Sequence, residues 1–315
     1  MSAELELLTV GRVSVDLYAE QSGVGFAGVT SFAKSVGGSP TNVAVAAARL
    51  GRCAAVLTAV GDDPFGEYVR SALAERFGVD TRFVGTHPTL RTPLAFAAMD
   101  PPEDPQLLFY REPDAPDMQI APGDVDLELA ARVPILWISA SSLGHEPSRG
   151  TVDAMLAARG RRDHTVLDLD WRPSFWASRE EGEAVISAAV SRATIAVGNR
   201  LECEIATGLS DPDAAADELL SRGVDLAIVK LGSDGVLVAT PAARERISAP
   251  RIQVVCGLGA GDAFGGALCH GLLAGWDPPT CVRFASTAGA IVASRLLCAD
   301  AMPTEQEVRE LARHG

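Results

Sequence analysis

Short runs of apolar residues recur along this chain, each bounded by polar or glycine-rich positions: 5–11, 54–60, 135–139, 165–170, 193–197 and 226–231. Between them apolar residues return at helical spacing, over roughly 40–50, 64–77, 147–160, 180–192, 211–222, 260–275 and 278–296. The strand-length runs are continuous rather than alternating, as expected of strands buried on both faces. Strand and helix patterns that alternate in this way predict an α/β fold, with a mostly parallel sheet flanked by helices.

Two segments break the rhythm. Residues 12–36 and 92–112 read as strand pairs joined by turns, inserted between the α/β units. A small sheet made from such insertions has a face to bury, so it serves either as a lid over a site or as a surface for a second copy. Residues 244–250 continue as short strands before a glycine-rich turn. No internal repeat or low-complexity tract interrupts the chain.

Composition narrows the function classes. With 315 residues, 47% of them hydrophobic, the chain can build one large α/β core or somewhat more. The formal charge of −14 and the lack of any Lys/Arg run argue against nucleic acid and anionic membrane as partners. An acidic start, Met-Ser-Ala-Glu-Leu-Glu, and the absence of a long apolar stretch give the expectation of a cytoplasmic protein. The six cysteines contain no Cys-x-x-Cys pair and read as buried free thiols.

The chemistry concentrates at Gly257-Leu-Gly259-Ala260-Gly261-Asp262. A glycine-rich turn entering a helix aims bare N–H groups, and the positive end of the helix dipole, at one point suited to an anion. A carboxylate there repels a phosphate, so Asp262 reads either as a proton acceptor or as a cap of its own helix. Gly37-Gly38-Ser39-Pro40-Thr41-Asn42 opens another helix. Its paired glycines permit close approach of a ligand, and the Asn42 amide can pair with a sugar hydroxyl. Asp16 ends the first strand pattern, where α/β sheets line their crevice. Its alternative is a solvated loop carboxylate.

Asn199 and Glu202 form a capping-box pattern, or else organise Mg²⁺ through water. Lys230, Gly232 and Gly235 close a strand, as phosphate contacts or as a hairpin turn. Arg111, two residues after Phe109, and Arg172, after Asp168 and Asp170, can grip a carboxylate or pair with neighbouring acids. Gly23-Val-Gly25-Phe-Ala-Gly28 matches a dinucleotide fingerprint in spacing alone, because a strand pattern rather than a helix follows it. A nicotinamide oxidoreductase therefore lacks its fingerprint.

In their order along the chain, Asp16, Gly38 with Asn42, the inserted strands, Asn-x-x-Glu and Gly259-Ala260-Gly261-Asp262 resemble the ribokinase-like (PfkB) carbohydrate kinases over about residues 5–310. Residues 11–17, 32–45, 167–176 and 300–304 are most similar to the sugar-acid kinases of that family. Those acting on 5-dehydro-2-deoxygluconate come first and those acting on 2-keto-3-deoxygluconate next. The resemblance implies a single three-layer kinase domain over 1–315, with lid strands at about 12–36 and 92–112. It also implies ATP and Mg²⁺ as cofactors, a sugar acid as acceptor and a homodimer through the lid sheet.

Asp262, Gly259, Ala260 and Gly261 are then catalytic. Asp16, Gly37, Gly38, Asn42, Phe109, Arg111 and Arg172 hold the sugar. Asn199, Lys230, Gly232, Gly235, Gly259 and Gly261 meet the nucleotide, and Glu202 meets the metal through water. Many members carry Asp/Asn-Thr where this chain has Cys256-Gly257, which leaves dependence on a monovalent cation open. The family's adenine-side Asn is not evident in Phe284-Ala-Ser-Thr-Ala-Gly-Ala. A sugar-binding protein that keeps the fold without the chemistry is the reading from another class.

Overall fold

The computed structural model describes residues 4–101, 105–162 and 164–314. Positions 102–104, inside the second expected insertion, and the first three residues of the acidic start lie outside the described residues. The chain runs β1 (Leu7–Val10), β2 (Ser14–Ser22), β3 (Phe32–Gly37), α1 (Ser39–Arg49), β4 (Ala54–Gly61), α2 (Pro64–Ser71), β5 (Val84–His87), β6 (Leu94–Met99) and β7 (Gln106–Tyr110). It continues through α3 (Leu127–Arg132), β8 (Ile135–Ser139), α4 (Ser148–Arg159), β9 (Thr165–Asp168), α5 (Arg179–Val190), β10 (Ile195–Asn199) and α6 (Arg200–Thr207). The last third holds α7 (Pro212–Ser221), β11 (Leu226–Lys230), β12 (Val236–Ala239), β13 (Arg244–Ile247), α8 (Ala260–Leu273), α9 (Pro278–Ala293) and α10 (Glu305–His314).

Among the described residues nine strands form one sheet in the order β13-β12-β11-β10-β9-β8-β1-β4-β5. The seven from β5 to β11 are parallel, and β12 and β13 add an antiparallel edge. The apolar runs of β1, β4 and β8 are buried at every position, as a sheet covered on both faces requires. On one face Val43, Ala46, Ala267 and Val282 pack α1, α8 and α9 together. On the other, Val152, Ile186, Ile205 and Leu219 bury α4 to α7. Several helices start where a side chain satisfies their first N–H groups: Asp63 for α2, Ser178 for α5, Asp211 for α7 and Asp277 for α9. Each such cap is worth about 1 kcal/mol.

Two features of topology position the site. From β1 the chain moves to β4 and β5 on one side, then returns to β8 on the other. The carboxyl ends of β1 and β8 therefore flank a switch-point crevice. The two expected strand pairs do form. β2–β3 and β6–β7 are antiparallel, and β2 pairs parallel with β6 to make a separate four-stranded sheet. Its register sets Asp16 opposite Ser35 and Ala95, and Ala95 opposite Phe109. Strand alternation thus puts Asp16 and Phe109 on one face. Phe32, Phe96 and Tyr110 stack edge-on along the other.

The differences from expectation are local. The helix expected over 64–77 is α-helical only to Ser71 and finishes in a π-helical turn, Ala72–Arg76. β9 ends at Asp168, so Asp170 stands in the loop beyond it. The four-residue β5 and β12 and the six-residue α3 are too short to leave a periodic signal. α10 is so charged that its apolar stripe is thin. The rejected glycine fingerprint lies in the loop joining β2 to β3, where Phe26–Gly28 makes a single 3₁₀ turn.

Candidate active site

α8 begins at Gly259, whose φ of +79° is a left-handed conformation that glycine adopts without strain. A Cβ on Gly259 would also lie 2.6 Å from Cys298 Sγ. No side chain among the described residues caps this helix, so its first-turn N–H groups and dipole remain available for an anion.

Asp262 does not cap its own helix. Its Oδ1 accepts from Ser39 Oγ at 2.8 Å and its Oδ2 from Asn42 Nδ2 at 2.8 Å, both on the first turn of α1. Since a carboxylate only accepts, the Asn42 amide must present Nδ2 to it, which leaves Oδ1 as an acceptor. That Oδ1 is buried and has no partner among the described residues, a vacancy that suits a ligand hydroxyl. Loss of water raises the Asp262 pKa above 3.8, while Asn42, Ser39 and Arg12 pull against the rise. The result is a stronger base than a free carboxylate.

Gly37 and Gly38 are close-approach positions, as expected, but what they approach is the protein itself. A Cβ at Gly37 would fall within 2.1 Å of the Asp16 carboxylate oxygens, and one at Gly38 would lie 2.4 Å from the Arg12 carbonyl. Asp16 is not at the end of β1, because that strand stops at Val10 and Asp16 belongs to β2. Nor is it a solvated loop residue. It is half-buried and accepts from Ser14 Oγ at 2.6 Å and Tyr18 Oη at 3.0 Å. Burial raises its pKa. Tyr18 Oη also lies 2.7 Å from Cys298 Sγ, so a short polar chain links Asp16 to the residue packed under Gly259.

Lys230 ends β11 and reaches the start of α8, where a Cβ on Gly261 would sit 3.4 Å from its Nζ. Burial pulls its pKa down, but Glu202, Asp168 and Asp262 outweigh burial and raise it. Asp168 is itself forced up to about 8, by burial first and by Asp170, Glu202 and Asp262, against the pull of Lys230. Ser39 Oγ lies 3.4 Å from Asp168 Oδ2 as well as 2.8 Å from Asp262. One hydroxyl hydrogen serves one acceptor, so Ser39 donates to the nearer Asp262 and serves Asp168 only in its place.

Asn199 and Glu202 form the capping box of α6. Asn199 Oδ1 accepts from Glu202 N at 2.9 Å, and Glu202 Oε2 accepts from Asn199 N at 2.7 Å. One Glu202 oxygen is thereby committed. Gly232 and Gly235, with φ of +63° and +94°, shape the β11–β12 hairpin, and a Cβ on Gly235 would strike the Ile247 carbonyl at 2.0 Å. Their conformations are explained by that turn.

Two arginines stack on Phe175. The Arg111 guanidinium stands 4.9 Å from its ring centroid and that of Arg12 5.5 Å, while Phe109 packs edge-on at 5.9 Å. Arg111 pairs with the fully buried Asp117, an acid outside the set weighed from sequence. Arg172 pairs with Asp170 at 3.1 Å. Arg12, Ser39, Tyr18, Asp117, Phe175 and Cys298 were not singled out from sequence. Only Arg12 carried a readable signal, as a charge directly after a buried apolar strand.

A groove lies between residues 248–251 and α9 and is lined by Arg283, Ser286 and Thr287. It adjoins the anion site, because Gly289, one turn beyond Ser286, packs against the Ala260 carbonyl. The buried Ser286 Oγ has no partner among the described residues. Among those residues no group of three or more His, Cys, Asp or Glu side chains is arranged to cage a metal, and no helix is long and apolar enough to cross a membrane. All six cysteines are unpaired, and five of them are buried.

The comparisons with known proteins agree in kind. The model of the pfkB family of carbohydrate kinases matches residues 4–305. The chain is 34% identical over 310 residues to the 5-dehydro-2-deoxygluconokinase of Photobacterium profundum, across 96% of this chain and 93% of that one. It is 32% identical over 313 residues to the enzyme of that name from Shouchella clausii, across 98% and 95%. A double mutant of Vibrio cholerae fructokinase, solved with fructose, ADP and a potassium ion, superposes with a TM-score of 0.87 at 26% identity, across 99% and 100% of the two chains.

Proposed function

This chain belongs to the pfkB family of carbohydrate kinases, and from that premise we propose that it phosphorylates 5-dehydro-2-deoxy-D-gluconate at the 6-hydroxyl, with ATP as donor. The observation that carries this reading is Asp262, a carboxylate of raised pKa held by Ser39 and Asn42 beside an uncapped helix N-terminus. A base and an anion cradle at one point suit transfer of a phosphoryl group to a hydroxyl.

The acceptor hydroxyl lies against Asp262, which takes its proton as the oxygen attacks the γ-phosphorus. The bond from that phosphorus to the bridging oxygen breaks, and ADP leaves. A positioned base contributes about 10²–10⁴-fold. The N–H groups of Gly259, Ala260 and Gly261 receive the charge that develops on the transferring group. A preorganised donor of this kind is worth roughly 3–4 kcal/mol. Lys230, beside Gly261, adds a fixed positive charge. Asp16 and Asn42 Oδ1 hold sugar hydroxyls, and Phe109 flanks the sugar. Arg172 faces the acid end, with Arg111 behind it.

The residues present fit a nucleotide with a hydrated divalent ion. Glu202 retains one oxygen to orient the water of Mg²⁺, an ion that keeps most of its ligands as water and phosphate. When bound, that ion neutralises phosphate charge. The adenosine end follows α9 from Gly289, which packs against Ala260, toward Ser286, while Asn199, Gly232 and Gly235 border it through the α6 and hairpin turns. The four-stranded sheet closes over the sugar as a lid and excludes water. Its outer face exposes Phe32, Leu108 and Tyr110, which suits pairing with a second copy. A buried Cys256 in place of an oxygen-bearing side chain favours turnover without a monovalent cation.

Release of ADP with Mg-ATP tests the reading. Turnover of 5-dehydro-2-deoxygluconate well above that of 2-keto-3-deoxygluconate, ribose and fructose is expected. A preference for 2-keto-3-deoxygluconate or a neutral sugar would overturn the acceptor assignment and leave the base in place.

A further inference from the structure

Asp170 is buried between two guanidinium groups. Arg12 Nη2 lies 3.3 Å from its Oδ2 and Arg172 Nη2 3.1 Å from its Oδ1. Ser139 and Ser141 each donate to Oδ2 at 2.7 Å. Burial pushes the Asp170 pKa up, but Arg12, Arg172 and the serines outweigh it, and the group stays ionised. Asp170 alone does not neutralise both guanidinium groups; the other acids whose charge reaches them are Asp16 and Asp262 at Arg12, and Glu202, Asp262 and Asp168 at Arg172. Arg111 adds nothing to that balance because Asp117 neutralises it. The other duty of Asp117 is to accept from Val13 N at 2.8 Å, so Arg111 and Asp117 together fix the backbone next to Arg12.

Two donors remain unused. The Nε atoms of Arg12 and Arg172 are both buried and have no partner among the described residues. The Arg12 side chain is only 9% exposed. A guanidinium N–H buried without an acceptor is costly, and a planar fork is the geometry that receives a carboxylate edge-on. The Arg12 charge also acts on both Asp16 and Asp262, so it stands within reach of the acceptor pocket. The switch-point crevice places it there, on the loop that leaves β1, where it shares Asp170 with Ser139 and Ser141 from the end of β8.

We propose that Arg12, presented by Asp170 and working with Arg172, is the residue that selects an acid acceptor by gripping its carboxylate, and that Arg111 only steadies the loop that carries it. This inference rests on the sugar-acid reading above. Asp170, Ser139 and Ser141 preset the fork, so the acid meets donors that are already oriented.

The test compares 5-dehydro-2-deoxygluconate with its C1 carboxamide, which keeps the shape and drops the charge, in wild type, Arg12→Gln and Arg12→Lys. Wild type is expected to favour the acid. Arg12→Gln should lower kcat/KM on the acid by about 10- to 100-fold, the worth of one charge-assisted hydrogen bond, with a change of less than about 3-fold on the amide. Arg12→Lys keeps a cation beside Asp170, so it preserves the fold if the Gln variant does not, and it should show the same selective loss. Titration with ADP reports whether the rest of the site survives. Equal losses on acid and amide would make Arg12 structural and overturn the proposal. A variant that still prefers the acid as strongly as wild type would overturn it as well, with the sugar-acid reading intact. A wild type indifferent to the charge would remove the sugar-acid reading, and the role of Arg12 with it.

Discussion

Asn42 donates to Asp262 at 2.8 Å across 220 positions of sequence. The contact exists because α8 lies unusually close to α1. A Cβ on Gly266 would fall 2.4 Å from Ala46 Cβ and 2.7 Å from Ala47 N, and one on Gly265 would strike the Trp137 ring. Two glycines one turn beyond Asp262 therefore let the base reach the amide that orients it.

Gly266→Val should force the two helices apart. Overpacking of this kind costs about 1–3 kcal/mol. Urea denaturation should show the loss of stability, and kcat should fall with it because Asp262 leaves Asn42. Wild-type stability in this variant would mean that α1 and α8 can slide without cost.

Asp262→Asn should retain ADP affinity, measured by calorimetric titration, and lose about 10²–10⁴-fold in kcat. The amide keeps the shape and removes the proton acceptor. A near-normal kcat would transfer the role of base to another group.

The pH dependence of kcat/KM should show an acidic limb above 3.8, because Asp262 must be ionised to accept a proton and burial raises its pKa. Asn42 donates to the ionised form, so Asn42→Ala makes that form less favourable and raises the pKa further. The limb should move to higher pH, because the charged form loses a hydrogen bond that favours it. A limb that stays in place or moves down would detach it from Asp262.

Asp168 has a folded pKa of about 8 against 3.8 for the free side chain. Between those values the folded protein holds a proton that the unfolded chain has released. The stability this group contributes is therefore full below pH 3.8 and is lost as pH rises through about 8. Asp168→Asn mimics the protonated acid at every pH. Measured by denaturant unfolding, its stability relative to wild type should rise between about pH 4 and 8, by roughly 1 kcal/mol per unit, and level off above. A difference independent of pH would mean that Asp168 is ionised throughout.

The sequence by itself determined the elements and the chemistry they carry. Continuous apolar runs marked the buried parallel strands, and Gly259-Ala260-Gly261-Asp262 marked a turn whose backbone must face an anion. Both are local properties, written in adjacent residues. The capping box of Asn199 and Glu202 was legible for the same reason. Only the tertiary structure decided what each site residue meets. Gly37 is glycine because the Asp16 carboxylate fills the place of its Cβ, and Arg111 is matched to Asp117 rather than to the acids next to it in sequence. Arg12 gains its importance from Asp170, 158 residues away. Such partnerships follow from strand order and register, which bring the ends of β1, β8 and β9 and the start of α8 to one crevice. The free energy of burying a charge depends on the partner found there, and no local pattern records that partner.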